Sequence, residues 1–171
     1  MQKPLFAAID FETADYYRDS ACAVGIVKVA GTQIIHEEVR LIRPPRQSFR
    51  FSHMHGITWA DVEDQPNFRS TWLSLRPLFE DVEFLAAHNA SFDRSVLSTC
   101  CELARIRPPQ QGFLCTRRLA RDVWGIYPTN LPAVCSKLRL PLDHHDPLSD
   151  ARACAKVIIK AIKKGASLDF D

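Results

Sequence analysis

The stretch Leu5-Phe6-Ala7-Ala8-Ile9-Asp10-Phe11-Glu12-Thr13 constrains this chain more than any other. It has the apolar run of a buried strand, yet it ends on two carboxylates where such a strand carries hydrocarbon. Side chains of a strand alternate between faces, so Asp10 and Glu12 share one face, about 7 Å apart along the chain, while Ile9 and Phe11 take the other. An unpaired buried carboxylate is costly, and two side by side demand a cation. Hard divalent ions with oxygen ligands suit that demand, and the question becomes whether the chain supplies more ligands.

With 171 residues and 46% apolar content, there is hydrocarbon for one core, and residues 1–171 read as a single domain. The net charge of +2, from 22 basic and 20 acidic side chains, is too balanced to identify a nucleic-acid partner by itself. Basic residues do cluster, at Arg40, Arg43, Arg46 and Arg50, at Arg117, Arg118 and Arg121, and at Lys156, Lys160, Lys163 and Lys164. Each cluster reads equally well as ordinary solvated charge. The six cysteines form no CxxC pair, and Cys100 and Cys101 are adjacent, which fits a reduced, cytoplasmic protein with small thiols in its core. Lys3 precedes only a short apolar run before Asp10, a first strand rather than a signal peptide. No stretch approaches the roughly 20 apolar residues that span a bilayer, so no membrane association is expected.

After Glu12 a polar segment leads to a second strand over 22–29, and Gly31-Thr32 suits a tight hairpin into a third strand over 33–42, with Ile35, Val39 and Leu41 on one face. Three consecutive strands with short links read as an antiparallel meander. Residues 46–66 read as irregular and contain Met54-His55-Gly56-Ile57-Thr58, either a binding loop or a connection. Phe68, Trp72, Leu75 and Phe79 recur at helical spacing, with Pro77 near the end. Phe84-Leu85-Ala86-Ala87 reads as a short buried strand that delivers His88-Asn89-Ala90-Ser91-Phe92-Asp93 at its carboxyl end. Phe92, Val96, Cys100 and Leu103 form the next helical stripe, and Asp93 shares its side with Val96 and Leu97, a third inward carboxylate. A strand at Phe113-Leu114-Cys115, a helix that Gly125 stops and a helix capped by Asn130 follow. In the last helix Asp150 lies one turn before the buried stripe of Cys154, Val157, Ile158 and Ala161, a fourth inward carboxylate. Strands come first and helices are interleaved later, which makes the fold class α/β with a mixed sheet.

Each of the four carboxylates breaks the apolar pattern of its own element at that element's end. If they converge, a pair of Mg²⁺ or Mn²⁺ ions would neutralise them, and two such ions about 3.5–4 Å apart can hold a phosphodiester and activate water. His145, in the loop before Asp150, would supply a neutral imidazole to take the water's proton. A carboxylate at a helix start is also an ordinary cap or dipole partner, and Asp93 or Asp150 taken alone is explained that way. Zinc at His144, His145 and Asp146 matches no usual ligand spacing.

Together the segments Asp10-Phe11-Glu12-Thr13, His88-Asn89-Ala90-Ser91-Phe92-Asp93 and His145-Asp146-Pro147-Leu148-Ser149-Asp150 resemble the three exonuclease motifs of the DnaQ-like family, in its DEDDh branch. The likeness covers nearly the whole chain, His55-Gly56-Ile57-Thr58 included. It implies a ribonuclease H-like fold with a central mixed five-stranded sheet and helices on both faces, and metal-dependent 3'-to-5' removal of nucleotides. By the same resemblance Asp10, Glu12, Asp93 and Asp150 would bind two Mg²⁺ or Mn²⁺ ions and His145 would be the general base, with His144 an exposed neighbour. Phe11, Thr13, His55, Ile57, Asn89 and Phe92 resemble positions that hold or stack on the terminal nucleotide. The expected partner is nucleic acid with a free 3' end, single-stranded DNA ahead of RNA. Little chain follows Lys164, and a stand-alone enzyme with no obligatory protein partner is expected. A non-catalytic nucleic-acid binding module of the same fold is the reading of a different class.

Overall fold

The structure, a computed structural model, describes residues 4–171; Lys3 lies outside the described residues. Strands β1 (Leu5–Thr13), β2 (Ala21–Ala30) and β3 (Gln33–Leu41) form the expected meander, joined at β2–β3 by Gly31 at φ 63°. Strands β4 (Phe84–Ala87) and β5 (Gly112–Cys115) add to the other side in parallel, giving the order β3-β2-β1-β4-β5. β1 is therefore the central strand. Because β1 and β4 are parallel, the chain leaves both at one edge of the sheet, and the first two motifs meet there.

The helices are α1 (Ser52–His55), α2 (Trp59–Val62), α3 (Phe68–Leu75), α4 (Ala90–Leu103), α5 (Thr116–Trp124), α6 (Leu131–Leu138) and α7 (Pro147–Lys163), with a 3₁₀ turn, Arg76–Leu78, accommodating Pro77 after α3. The alternation of β1 sorts them into two layers. Ala7, Ile9 and Phe11 face one core with Trp72 and Leu75 of α3 and Val96 and Leu97 of α4. Phe6 and Ala8 face the other with Leu119 of α5, Val134 of α6 and Val157 and Ile158 of α7. Phe6 stacks on Phe84 across the sheet, ring centres 5.1 Å apart. Each such fully buried side chain contributes about 1.5–3 kcal/mol. The architecture is α/β, a mixed five-stranded sheet with helices on both faces.

Three local expectations change. Residues 46–66 contain α1 and α2, and the turn into α2 is fixed by the Thr58 N–H donating to the Asp61 carboxylate at 2.7 Å. On β3, Ile35 and Val39 are exposed, because β3 is the sheet's edge and Ile35 is the extra residue at a bulge opposite Lys28 and Val29. Leu103 ends α4 65% exposed, since the inward stripe of that helix runs through Leu97, Cys100 and Cys101 instead. The six cysteines are free thiols, five of them buried, as their reading as core residues required. No described helix is long and apolar enough to cross a membrane.

Candidate active site

Asp10 and Glu12 continue the Phe6–Ala8 face of β1, so they lie on the α7 side, where the hydrocarbon layer ends. Asp10 pairs in register with Gly25 of β2, and the start of α7 rests on that glycine. A Cβ at Gly25 would stand 2.0 Å from the Pro147 carbonyl oxygen, so only glycine admits the helix backbone here. This seat brings Asp150 to the strand. Carboxylate oxygens of Asp10, Glu12 and Asp150 lie within 4.8 Å of one another. Asp93, 2% exposed in the first turn of α4, approaches from the other layer, and its Oδ1 accepts the Phe11 N–H at 2.9 Å, between the two acids of β1.

Neither helix carboxylate is a cap. Asp146 caps α7 by accepting the Ser149 N–H at 2.7 Å, and the acid that groups with the two histidines is Asp150. Asp150, 4% exposed, accepts the His145 N–H at 3.2 Å and bonds His144 Nδ1 at 2.8 Å, both through Oδ2. Its Oδ1 is buried with no hydrogen-bond partner. An orphaned carboxylate oxygen on a residue grouped with two other carboxylates is what a cation would satisfy. The electrostatics agree. Burial, then the charges of Asp93, Asp150 and Glu12, hold the Asp10 carboxyl well above its usual range. Burial, then Asp150 and Asp93, push Glu12 up to about 8. Burial raises Asp93 to about 7 against the opposing Phe11 N–H, and raises Asp150 against His144. The donor set therefore fits hard divalent cations.

The histidine pair differs from expectation. His144 is not merely a surface neighbour; its ring bonds Asp150 and stacks on His145, centres 3.8 Å apart. Ring nitrogens of both lie within 4.8 Å of an Asp150 oxygen. His145 sits at φ 72°, a left-handed turn that folds the loop back over the helix start, and burial lowers its pKa, which keeps the imidazole neutral at pH 7. Nothing in residue spacing announces that turn.

The cleft around these groups holds about 410 Å³, within the usual range for ligand sites. Of the residues expected to grip a nucleotide, Phe11, Thr13, His55, Asn89 and Phe92 line it. Ile57 is not on the wall; it is half-buried, and its N–H donates to His55 Nδ1 at 3.0 Å. His55 Nε2 in turn donates to the Thr13 carbonyl at 3.1 Å, so the imidazole is a neutral brace between the loop and the end of β1. Asn89, at φ 67°, gives its side-chain oxygen to Arg117 at 3.0 Å. Sequence reasoning missed Phe51, Met54 and His88 on the wall. His88 donates from Nε2 to the Thr129 carbonyl and takes Thr116 at Nδ1, and burial lowers its pKa to about 4. A larger groove of about 780 Å³, between Trp59, Phe68 and the end of α4, has no such cluster of acids.

The RNase T exonuclease family model matches residues 7–158. The chain is 31% identical over 162 residues to the DNA polymerase III PolC-type of Thermotoga maritima, covering 92% of this chain and 12% of that protein. It is 33% identical over 149 residues to exodeoxyribonuclease 10 of Escherichia coli K12, covering 79% and 61%. It thus spans less than two thirds of either relative's length. The solved structure of exonuclease X in complex with 5' overhanging duplex DNA matches with a TM-score of 0.76 at 26% identity, over 95% of this chain and 94% of that one. Fold, acidic cluster and relatives agree, and the chain belongs to the DnaQ-like family of 3'-to-5' exonucleases, DEDDh type, in the ribonuclease H-like superfamily.

Proposed function

We propose that residues 1–171 form one exonuclease domain that releases nucleoside monophosphates from the 3' end of single-stranded DNA. The observation that carries this reading is the convergence of Asp10, Glu12 and Asp150, with the Asp150 Oδ1 buried and unpaired. Exonucleases of this family work with divalent metal ions, and here Asp10, Glu12, Asp93 and Asp150 would hold two, Mg²⁺ or Mn²⁺. When bound, such a pair polarises the scissile phosphate and lowers the pKa of the attacking water.

The chain's own residues supply the rest. Asp93 is steadied by the Phe11 N–H, and Asp150 by His144 and the His145 N–H. The neutral His145 ring takes a proton from water as its oxygen attacks phosphorus; the bond from phosphorus to the 3' oxygen breaks, and that oxygen leaves with a solvent proton. Phe92 and Phe51 offer apolar faces to any base, and Asn89 offers its amide. A cleft of about 410 Å³ suits one unpaired nucleotide, which favours a single strand. DNA is favoured over RNA because the relatives more similar in sequence are named for DNA, an exodeoxyribonuclease, a DNA polymerase and a complex with duplex DNA, whereas the structural neighbours named for RNA or rAMP are 20% identical or less.

The test compares 5'-labelled single-stranded DNA, duplex DNA and short RNA with Mg²⁺ or Mn²⁺, then with EDTA. The expected result is a ladder on single-stranded DNA that stops in EDTA. Laddering that persists in EDTA overturns the two-metal reading. Faster trimming of RNA makes the protein an exoribonuclease, and intact retention of a 3'-labelled strand with Mg²⁺ makes it a binding module. His145→Ala should cut kcat by about 10²–10⁴ while DNA binding remains. Near-normal turnover would transfer the base role to His144 or bulk water.

A further inference from the structure

The loop 14–20, between β1 and β2, adjoins the cleft and has no part in the chemistry above. Its outward side chains are Tyr16, Tyr17 and Arg18, the two tyrosines 77% and 68% exposed. Bulky aromatics on a surface loop lose little by moving, yet this loop is fastened. The Arg46 guanidinium bonds Asp15 through Nε at 3.1 Å and Asp19 through Nη1 and Nη2 at 2.8 and 2.6 Å. Ser20 Oγ donates to the Tyr17 carbonyl at 2.7 Å, and the Ala14 N–H donates to the Ser20 carbonyl at 2.8 Å. The Arg50 N–H donates to the Ala14 carbonyl at 2.6 Å, tying the loop to the segment that bears Phe51. The rings are thus presented on an ordered frame, and a ligand that meets them loses little further freedom to the protein.

Two contacts direct them to the cleft. The Tyr16 ring meets Phe51 edge-on, centres 4.9 Å apart at 78°. The Arg18 guanidinium lies 4.5 Å from the centre of the Phe92 ring. Phe51 and Phe92 are both cleft walls, so Tyr16 and Arg18 each rest on a side chain that bounds the cleft. Arg46 is consumed by Asp15 and Asp19, whereas Arg18 is exposed and rests on the Phe92 ring.

We propose that loop 14–20 is an upstream subsite for the same strand: Tyr16, braced on Phe51, stacks the base preceding the terminal nucleotide, and Arg18 pairs with a backbone phosphate. The assignment rests on the exonuclease reading for its occupant and narrows the substrate to 3' ends with at least two unpaired nucleotides. An aromatic face accepts any base, so the subsite adds grip without sequence preference.

The test measures fluorescence anisotropy of 5'-fluorescein dT8 with phosphorothioate linkages, in Mg²⁺, for wild type, Tyr16→Ala, Tyr16→Phe and Arg18→Gln. Thermal melts verify that each variant folds. Tyr16→Ala should raise Kd about tenfold, the scale of one base–aromatic stack, and Tyr16→Phe should restore it. Arg18→Gln should reduce the slope of log Kd against log salt by about 0.7, one phosphate of a single strand. In turnover, Tyr16→Ala should lose more on dT8 than on the p-nitrophenyl ester of thymidine 5'-monophosphate, which has no upstream base. Wild-type Kd and salt slope in both variants, or equal losses on the two substrates, overturn the subsite. A wild-type protein that binds dT8 but cleaves neither ordinary dT8 nor the ester overturns the exonuclease reading, and the Kd series still decides the subsite.

Discussion

The starts of α6 and α7 are built alike and serve different ends. Each has a capping side chain, Asn130 accepting the Ala133 N–H at 2.9 Å and Asp146 accepting the Ser149 N–H at 2.7 Å, and each has a proline in the first turn. In both, the residue four after the cap is buried. In α6 it is Val134, which packs in the hydrocarbon layer; in α7 it is Asp150, which faces Asp10 and Glu12. The cap is already provided by Asp146, so Asp150 is not needed for that role. A carboxylate where the counterpart is valine is what the proposed metal site requires. Asp150→Asn removes that charge while keeping the shape, and should lower kcat/KM by about 10²–10³-fold, a loss of the size seen when one electrostatic element of a site is deleted. In EDTA at pH 8 the variant should melt no lower than wild type, because one member of a repelling set is gone. Activity within an order of magnitude of wild type would reduce Asp150 to a spectator.

The second difference is the seat. α7 begins against the backbone of β2 at Gly25, where the smallest side chain would collide with Pro147. Gly25→Ala should therefore displace the first turn of α7, costing about 1–3 kcal/mol of stability through overpacking. Turnover should fall about 10²-fold, since an error near 1 Å in the position of a catalytic group has that consequence. Wild-type kcat together with a wild-type melting curve would show that the helix start does not depend on this contact.

The acids also make the metal-free protein sensitive to pH. In the unfolded chain Glu and Asp lose their protons near pH 4. In the folded chain Glu12 holds its proton to about pH 8 and Asp93 to about pH 7. Between those limits the folded state binds more protons than the unfolded one, so stability falls as pH rises from about 4 through 8. Thermal melts in EDTA should therefore decline across that window. Saturating Mg²⁺ or Mn²⁺ should oppose the decline, most strongly at the alkaline end, where the ligands are free of protons. A flat profile in EDTA would mean that the carboxylates are not crowded as the geometry has them.

What the residues disclosed follows from where the physics is local. Asp10 and Glu12 were legible because two carboxylates contradict the period of a buried strand, and Asp93 and Asp150 because they interrupt helical stripes. The faces of β3 and α4 were less so: periodicity identifies a stripe but not whether another element covers it, and Ile35, Val39 and Leu103 remain exposed. The engagement of His144 was invisible because it depends on the positive φ of His145. The two tyrosines of loop 14–20 carry no periodic signal, and their order comes from Arg46, distant in sequence.

The smallest expected effect separates the two helix starts most cleanly. Asn130→Ala and Asp146→Ala each remove one capping bond, worth about 1 kcal/mol of stability. At α6 the loss loosens a turn whose inward residue is hydrocarbon, so the melting temperature should fall while kcat at 25 °C is unchanged. At α7 a similar loss loosens the turn that carries Asp150, so kcat should fall along with the melting temperature. The pair of variants thus asks whether turnover registers disorder at one helix start and ignores it at the other. Equal kcat in the two would mean that Asp150 is held by its seat on β2 and by His144 and His145, and that the cap of α7 is as purely structural as that of α6.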